Sequence, residues 1–271
     1  MKPFLFKIIA LIFFSIFTTQ LSAQKFQGKA YYFSKSKMEL GNWGARMSEA
    51  QKKQMQNRLK DRLEKKYILN FNMQESTFLE EDKIDAISGA TDSWGGYFSR
   101  GDLHKNIKEN KLVQSQEFYG KRFLVKDKLV NIEWSLGTET KKIGNYTCYK
   151  AAAMVPKSEL NWFDFSWNDL RQNYDETQKI EEPMIVIEAW YTPQIPVAQG
   201  PAEYWGLPGL ILEVSAGNTT LLCSEIILNP KEKVTITAPD KGENITKKGY
   251  TSNIRKKMVE MRNNRMGRRS R

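Results

Sequence analysis

The sequence predicts a mainly β protein of the β-rich α+β type, built as a curved, mostly antiparallel sheet or half-barrel with one amphipathic helix and an aromatic-rich insertion. Three observations predict this class. Short runs rich in β-branched and aromatic residues, such as Met184–Tyr191, recur along the chain. Gly- and Pro-containing turns separate these runs. The sequence has neither a repeat of fixed period nor the strand–helix alternation that predicts a parallel sheet.

The predicted strands share alternating or β-branched patterns that end at turn residues. They are Phe26–Ser34, Tyr67–Asn72, Ser76–Glu80, Lys111–Phe118, Arg122–Val125, Asn131–Leu136, Lys141–Met154, Met184–Tyr191, Leu210–Val214 and Thr219–Leu228. Ser48 and Gln51 predict a capping box at the start of a helix that runs to about Lys66 and lies on the sheet. A weaker helix is predicted over Asn253–Arg262. Residues 88–101 are predicted to be a loop.

The N-terminus has the pattern of a secretory signal peptide. Lys2 and Lys7 precede an apolar run over residues 8–17, and Leu21-Ser22-Ala23 supplies a small-residue site for cleavage after Ala23. Since Gln24 follows, a lipid anchor on cysteine is not expected. No later stretch reaches about 18 apolar residues, so we expect no transmembrane span after signal removal. The predicted location is periplasmic or secreted.

The predicted organisation is a signal peptide over residues 1–23, a single β-rich domain over 24–250, and a basic, helical-to-disordered tail over 251–271. The chain carries 42 Lys and Arg against 31 Asp and Glu. Residues 255–271 hold eight of the basic side chains and one acid, Glu260. Such a tail is typical of a solvated, mobile arm, or it binds an anionic surface such as lipopolysaccharide or an acidic receptor loop. No nucleic-acid recognition module is present, so nucleic acid is not an expected partner.

The two cysteines, Cys148 and Cys223, both lie inside predicted strands. If those strands were neighbours, a disulfide would close a loop of about 75 residues and contribute on the order of 4 kcal/mol. Two buried free thiols are the alternative, and the sequence does not choose between them.

The stretch between Tyr191 and Gly209 is long for a structureless connection, so we expect it to be ordered and packed. Pro193 ends strand pairing because it has no N–H, and Pro208-Gly209 fits a type II turn. Two interpretations stay open: a rigid corner that closes the sheet, or a rim that contacts a ligand. The residues that could form this corner or rim are Trp190, Tyr191, Pro193, Pro196, Tyr204, Trp205, Gly206, Leu207, Pro208 and Gly209.

An insertion over residues 157–182 carries four aromatic side chains within six residues. These are Trp162, Phe163, Phe165 and Trp167. Because they lie outside the predicted strands, they could form a lid over the sheet or an exposed platform for a ligand. We favour the lid.

Several of these motifs resemble those of the GLPGLI family of secreted Bacteroidetes proteins. In chain order, the motifs are Ile143–Ala151, Ala189–Pro196, Gly200–Tyr204 and the Gly206–Ile211 string. The resemblance covers roughly residues 25–262. It implies an exported β-rich protein of a kind often encoded beside TonB-dependent outer-membrane receptors. It implies no reaction, cofactor or catalytic residue.

The residue types needed for common enzymatic sites are scarce. His104 is the single histidine, which excludes HExxH and His-based zinc sites and leaves Ser-His-Asp or Cys-His catalysis without support. No phosphate-binding GxxxxGK[ST] loop occurs. Acidic runs at Glu80–Asp82 and Glu181-Glu182 could supply paired carboxylates, although adjacent acids are usually solvated. We expect no cofactor and no metal.

These observations lead to three hypotheses. The first is a non-enzymatic binding or carrier protein that serves an outer-membrane transporter and a hydrophobic or peptide ligand. The second is a carboxylate-based hydrolase. The third is a structural envelope protein held by its basic tail.

Overall fold

The computed structural model describes residues 26–37, 46–58, 60–81, 101–118, 120–163 and 182–269. Within these ranges, twelve strands form a single sheet that does not close into a barrel. The strands are β1 (Gln27–Ser36), β2 (Glu64–Asn72), β3 (Glu75–Glu80), β4 (Leu103–Asn106), β5 (Lys111–Phe118), β6 (Lys121–Asp127), β7 (Ser135–Ile143), β8 (Tyr146–Pro156), β9 (Met184–Thr192), β10 (Leu210–Ala216), β11 (Thr219–Leu228) and β12 (Glu243–Ile245). The helices are α1 (Glu49–Arg58), α2 (Lys60–Leu63), α3 (Lys157–Leu160) and α4 (Lys247–Arg269).

The strand order is β12-β6-β5-β4-β3-β2-β1-β11-β10-β9-β8-β7, and the mainly β, mostly antiparallel architecture expected from the sequence is confirmed. Most neighbours in the sheet are also neighbours in the chain, as hairpin connections require. Two pairs are exceptions. Near the middle of the sheet β1 pairs with β11, and Gly28 lies opposite Leu228. The short β12 runs parallel to β6 at one edge.

One face of the sheet is packed, and we call it the inner face. Along β1 every second residue is buried, which places Gly28, Ala30 and Tyr32 on this face. A Cβ on Gly28 would lie 2.4 Å from the tip of the Phe71 ring, so glycine at this position lets the ring approach β1 closely. Tyr67 and Phe78 stack beside it with ring centroids 4.7 Å apart. The inner face therefore has a close-packed aromatic centre.

A second, smaller core joins parts of the chain that are distant in the sheet. Trp162 follows β8 near one end of the strand order, and Phe123 lies on β6 near the other. Tyr250 of α4 contacts both rings, with centroids 5.5 Å from Trp162 and 5.3 Å from Phe123. A flat twelve-stranded sheet would hold these two ends tens of ångströms apart at about 4.8 Å per strand. The sheet is therefore curved.

The predicted capping box is confirmed at the start of α1. The Ser48 amide donates to Gln51 Oε1 at 2.9 Å, and the Gln51 amide donates to Ser48 Oγ at 3.3 Å. The helical segment ends at Leu63, a few residues before the predicted end at Lys66. Glu64 already pairs with Lys35 of β1, because β2 begins at Glu64 rather than at the predicted Tyr67.

Two strand predictions were wrong in detail. Residues 128–134 form no strand, whereas Asn131–Leu136 was predicted as one. The predicted strand Lys141–Met154 is instead a hairpin, in which Gly144 adopts a φ of 57° between β7 and β8. A Gly-Asn pair is typical of such tight turns because both residues tolerate positive φ. β4 was not predicted, because its four residues carry no clear alternation.

Helix α4 begins earlier and is better packed than the sequence suggested. Tyr250, Ile254 and Met258 are at most 1% exposed, and Met261 packs beside them. These positions share one side of the helix, at spacings of three and four residues. The part of the basic tail up to Met261 therefore belongs to the folded core. Within the described ranges, no helix combines the length and the apolar composition that crossing a membrane requires.

We expect Ile254→Ala to lower the free energy of unfolding by about 2–4 kcal/mol, because it leaves a cavity between α4 and β6. Lys256→Ala, two residues away on the exposed side, is the matched control and should change stability by less than about 0.5 kcal/mol. Urea unfolding measures both values. Equal effects would show that α4 does not pack as described.

Candidate functional site

The connection between β9 and β10, residues 193–209, lies over the inner face, and we call it the internal loop. Its Ile195, Val197 and Leu207 are at most 1% exposed. The loop folds back on its own flanking strand, since the Leu210 amide donates to the Ile195 carbonyl at 3.0 Å and the Ile211 amide to the Gln199 carbonyl at 3.1 Å. The stretch that the sequence singled out is therefore an interior element of the fold.

Strands β3 and β4 bind the internal loop through buried polar side chains. Lys105, which is fully buried, donates from Nζ to the carbonyls of Gly200 at 2.7 Å and Tyr204 at 2.9 Å. Ser76 Oγ donates to Gln199 Oε1 at 2.8 Å. Lys105 and Ser76 are cross-strand neighbours, so both point to the same face. These contacts satisfy loop carbonyls that would otherwise be buried without partners.

Helices α3 and α4 reach the internal loop through Glu203. This carboxylate is 1% exposed and accepts from Trp162 Nε1 at 2.7 Å and from Lys247 Nζ at 2.5 Å. Lys247 Nζ also donates to the Glu159 carbonyl at 3.2 Å. A buried ion pair of this kind contributes to stability only while both charges stay paired and hydrogen-bonded. Glu203 thus joins the loop to both helices.

Two tryptophans bind the internal loop to the segment before β7. Trp205 Nε1 donates to the Val130 carbonyl at 2.8 Å, and Trp134 Nε1 donates to the Trp205 carbonyl, also at 2.8 Å. Residues 128–134 therefore make their contacts with the internal loop, which explains why Asn131–Leu136 is not a strand.

The glycines of the motif allow backbone to approach backbone. A Cβ on Gly209 would lie 2.2 Å from the Thr192 carbonyl oxygen, and one on Gly200 would lie 2.9 Å from the Tyr204 carbonyl oxygen. Gly206 has a φ of 93°, which other residues rarely adopt. The motif's glycines are thus explained by packing, without reference to a ligand.

The predicted corner or rim residues divide by exposure. Trp190, Tyr191, Tyr204, Leu207 and Gly209 are buried, and Trp205 is half-buried. The exposed members lie where the loop reaches the surface, and they are Pro193, Pro196, Gly206 and Pro208. Only this second group could contact a partner without rearrangement of the core.

The predicted aromatic lid lies partly in the described structure. Trp162 and Phe163 are buried beneath α4, with their ring centroids 5.3 Å apart in an edge-on arrangement. Phe165 and Trp167 lie outside the described residues, as does most of the predicted 88–101 loop. The two described aromatics contribute to the second core and present no open face to a ligand.

Cys148 and Cys223 are both buried free thiols. They lie on β8 and β11, which are not neighbours in the sheet because β9 and β10 separate them. A disulfide requires Cα atoms about 4.4–6.8 Å apart. Burial raises the pKa of Cys148 to about 11 and that of Cys223 to about 12, so neither is an activated nucleophile.

On the opposite, outer face, Trp190 lies beneath two ammonium groups. Lys141 Nζ is 4.3 Å and Lys150 Nζ 5.8 Å from a Trp190 ring centroid, within cation–π range. Each lysine is also paired with an acid, Lys141 with Glu213 at 2.7 Å and Lys150 with Glu188 at 3.1 Å. This charged cluster shields the Trp190 ring from water.

Beside that cluster, β8 and β9 expose apolar side chains that we call the outer apolar strip: Met154, Met184 and Val186. They are 61%, 48% and 62% exposed. Met154 and Val186 are direct cross-strand partners, and Met184 is two residues from Val186, so the three share one face. The strip is therefore a small contiguous apolar patch rather than a set of isolated exposed residues.

Two cavities lie away from the motif, and neither is lined by its residues. One, of about 590 Å³, lies against Tyr31–Phe33 in the middle of β1 and against neighbouring residues of β2 and β11. The other, of about 450 Å³, contains three carboxylates, Asp102, Glu117 and Asp240. Glu117 is 3.6 Å from Arg122 Nε, so one of these carboxylates already has a cationic partner.

His104 lies on β4 with its Nε2 3.7 Å from a Glu75 carboxylate oxygen. Its Nδ1 is buried and has no hydrogen-bond partner. Burial lowers the pKa of His104, which the nearby Glu75 and Glu109 partly offset. Among the described residues, no group of three or more His, Cys, Asp or Glu is arranged to hold a metal ion.

The fold and site define a class: a mainly β protein with an open, curved sheet whose inner face is covered by a glycine- and proline-rich loop. A family model described as "Protein of unknown function (Porph_ging)" matches residues 134–213, which span β7 to β10 and contain the whole internal loop. The match covers less than a third of the 271 residues. No curated protein matches the chain.

Two solved structures are similar to the chain over most of its length. The first, "Structure of PNGF-II in C2 space group", is 17% identical with a TM-score of 0.43, and the match covers 82% of this chain and 30% of that one. The second, "Structure of PNGF-II in P21 space group", is 15% identical with a TM-score of 0.45, covering 81% and 31%. The chain thus spans less than a third of the length of these structures.

Sequence reasoning found the internal loop but missed the side chains that hold it, Lys105, Lys247, Glu203 and Gln199. Charged residues are seldom fully buried, so no local pattern marks Lys105 as an interior residue. Of these four residues, Glu203 lies within the Gly200–Trp205 part of the motif. Its place in the motif was the one sequence signal that could have marked it as a buried anchor of the loop.

We expect Gly209→Ala to destabilise the protein by about 3 kcal/mol, because the new Cβ would overlap the Thr192 carbonyl. Gly217→Ala is the matched control. Gly217 has a φ of 56° and open space around it, so its change should cost only the roughly 1–2 kcal/mol of left-handed backbone. Thermal unfolding compares the two. If Gly209→Ala proved the milder change, the close approach of the loop to β9 would be disproved.

The two thiols should make stability depend on alkaline pH. A thiol has an ordinary pKa of 9.0, and both folded values are raised, so above about pH 9 the unfolded chain loses protons that the folded chain keeps. The free energy of unfolding should therefore fall as the pH rises from about 9 towards 11. Urea unfolding at about pH 8 and about pH 10 measures this fall. In a Cys148→Ala/Cys223→Ala variant the fall should be smaller, and an unchanged fall would contradict the assignment.

Proposed function

We propose that this protein is a non-enzymatic binding protein of the cell envelope that docks a protein partner through the outer apolar strip. Its predicted signal peptide and the resemblance to the GLPGLI family support an exported accessory protein, periplasmic or secreted. A TonB-dependent outer-membrane transporter is the kind of partner that the resemblance implies. The proposal assigns no cofactor and no catalytic residue.

The observation that carries this proposal is the occupation of the inner face by the internal loop. A carrier of a hydrophobic ligand needs an apolar cavity, which in proteins usually encloses most of the ligand's surface. Here Ile195, Val197 and Leu207 cover the position that such a ligand would take. Lys105 anchors their loop through the carbonyls of Gly200 and Tyr204. A ligand carried inside the sheet would have to displace a loop with buried charged anchors. A partner bound outside requires no such displacement.

The outer apolar strip fits a protein partner by its composition. Methionine side chains adapt to the shape of a partner, and Met154 and Met184 flank the more rigid Val186. The neighbouring ion pairs of Lys150 and Lys141 form a polar border around Trp190. An apolar centre with a charged border is the usual anatomy of a protein interface.

In-cell photocrosslinking from single positions tests the proposal. A photoreactive residue at Met154 or Val186 should give one discrete protein adduct in the envelope. Met73, which is 54% exposed on the β2–β3 turn, is the matched control and should give none. With the captured protein purified, Val186→Glu should weaken binding at least tenfold, because it places a charge in an apolar contact, while the melting temperature stays unchanged.

Three results would overturn the proposal. The first is equal crosslinking from Met73. The second is a lipid or peptide that stays bound to the gently purified protein in native mass spectrometry, which would restore the carrier hypothesis. The third is a hydrolytic activity that Glu117→Gln abolishes, which would move the function to the cavity that contains Asp102 and Asp240.

A further inference from the structure

The cavity of about 590 Å³ lies on the outer face of the sheet, over β11, β1 and β2. Tyr31 and Phe33 of β1 line it. These two residues alternate with Tyr32 of the inner face, so their side chains lie on the outer face, where both are half-buried. The cavity therefore has an aromatic wall that the rest of the fold covers only in part.

A β-bulge brings polar side chains to this wall. Tyr31 pairs with Glu225 and Tyr32 pairs with Cys223, so Ser224 is an extra residue of β11. Ser224 and Glu225 are both exposed and both line the cavity, whereas regular alternation would turn one of them to the inner face. Ser224 Oγ donates to the Tyr31 carbonyl at 3.3 Å. The bulge thus places the Glu225 carboxylate beside Tyr31.

Lys66 and Glu81 line the other side of the cavity. Lys66 lies opposite Phe33 on β2, and its carbonyl accepts from the Glu81 amide at 2.8 Å. Within the described ranges, the side chains of Lys66, Glu81 and Glu225 form no ion pair. The whole chain has more basic than acidic residues, yet the described lining of this cavity has two acids and one base. The cavity is therefore negatively charged in a positively charged protein.

We propose that this cavity binds an organic cation, a guanidinium or ammonium group on an apolar stem, which is supplied by a small molecule or by a basic side chain of a peptide. An aromatic face attracts a cation, and a neighbouring carboxylate adds a charge-assisted hydrogen bond. Lys66 would repel a cation at its own end of the cavity. The cation is therefore placed beside Tyr31 and Glu225.

The outer face already contains the same combination of groups with a cation in place. Lys141 Nζ lies 4.3 Å from a Trp190 ring centroid and 2.7 Å from a Glu213 carboxylate oxygen. In the cavity, the Tyr31 ring and the Glu225 carboxylate supply the aromatic face and the acid. The inference does not depend on the proposed docking through the outer apolar strip, because no residue of that strip lines the cavity.

Calorimetric titration of the purified protein with butylguanidinium tests the proposal. Butylurea is the matched probe, because it has nearly the same shape without the charge. We expect butylguanidinium to bind at least about tenfold more tightly than butylurea, and salt at about 0.5 M to weaken its binding. The capped tripeptide acetyl-Ala-Arg-Ala-amide distinguishes the two sources of the cation. Tighter binding than butylguanidinium would indicate a peptide, and weaker binding a small molecule.

Substitutions locate the cation within the cavity. Glu225→Gln should lower the affinity for butylguanidinium about tenfold, and Tyr31→Leu about threefold, because each removes one attractive group. Lys66→Gln should raise the affinity about threefold, because it removes a like charge. Glu232→Gln, which removes an exposed carboxylate outside the cavity, is the matched control and should change the affinity less than about twofold. Because Glu225, Lys66 and Glu232 are exposed, their variants should keep the melting temperature of the unchanged protein.

Each of three outcomes would overturn the proposal. One is the absence of butylguanidinium binding at concentrations up to about 10 mM. Another is equal binding of butylurea, because an apolar contact would then explain the affinity without a cation. The last is an equal loss of affinity in Glu225→Gln and Glu232→Gln, since net charge alone would then account for it. Val186→Glu should leave butylguanidinium binding unchanged, so failure of the protein-docking proposal would remain distinguishable from failure of this one.

Discussion

Two buried lysine side chains fix the internal loop, and the rest of the structure depends on that loop. Lys105 binds the carbonyls of Gly200 and Tyr204, and Lys247 binds the carboxylate of Glu203, so five consecutive residues are held from opposite directions. Burial of an ammonium group is costly unless hydrogen bonds and an opposite charge compensate it. Here the loop provides those acceptors, and the lysines satisfy carbonyls that the loop could not pair itself. Each side is stable inside the protein only because the other is present.

The same loop explains the curvature of the sheet and the character of its two faces. Strands β3 and β4 bind the loop from one half of the sheet, while β9 and β10 carry it from the other half. The sheet must bend for both halves to contact one segment. Its inner face is then filled by loop residues such as Ile195, Val197 and Leu207. The outer face keeps exposed apolar side chains, among them Met154 of β8 and Val186 of β9.

The sequence predicted those structural features that depend on the pattern of neighbouring residues. The alternation in β1 and β11, the Ser48–Gln51 capping box and the ordered packing of the internal loop all follow from neighbouring residues. It failed where distant contacts override local preference. Residues 128–134 have the composition of a strand but are bound by Trp205. Tyr250 precedes the weak helix predicted over Asn253–Arg262, and it becomes a core residue because the rings of Phe123 and Trp162 pack against it. Lys105 shows the limit most clearly, because its burial depends on carbonyls that lie 95 and 99 residues away.

The internal loop also connects the outer face of the sheet to helix α4. It leaves β9 directly after Thr192, and β9 carries Val186 of the outer apolar strip. At Glu203 it binds Lys247, the first residue of α4. A change that displaces the loop would therefore affect both elements, because it would break the Lys247–Glu203 pair and leave each charge buried without its partner.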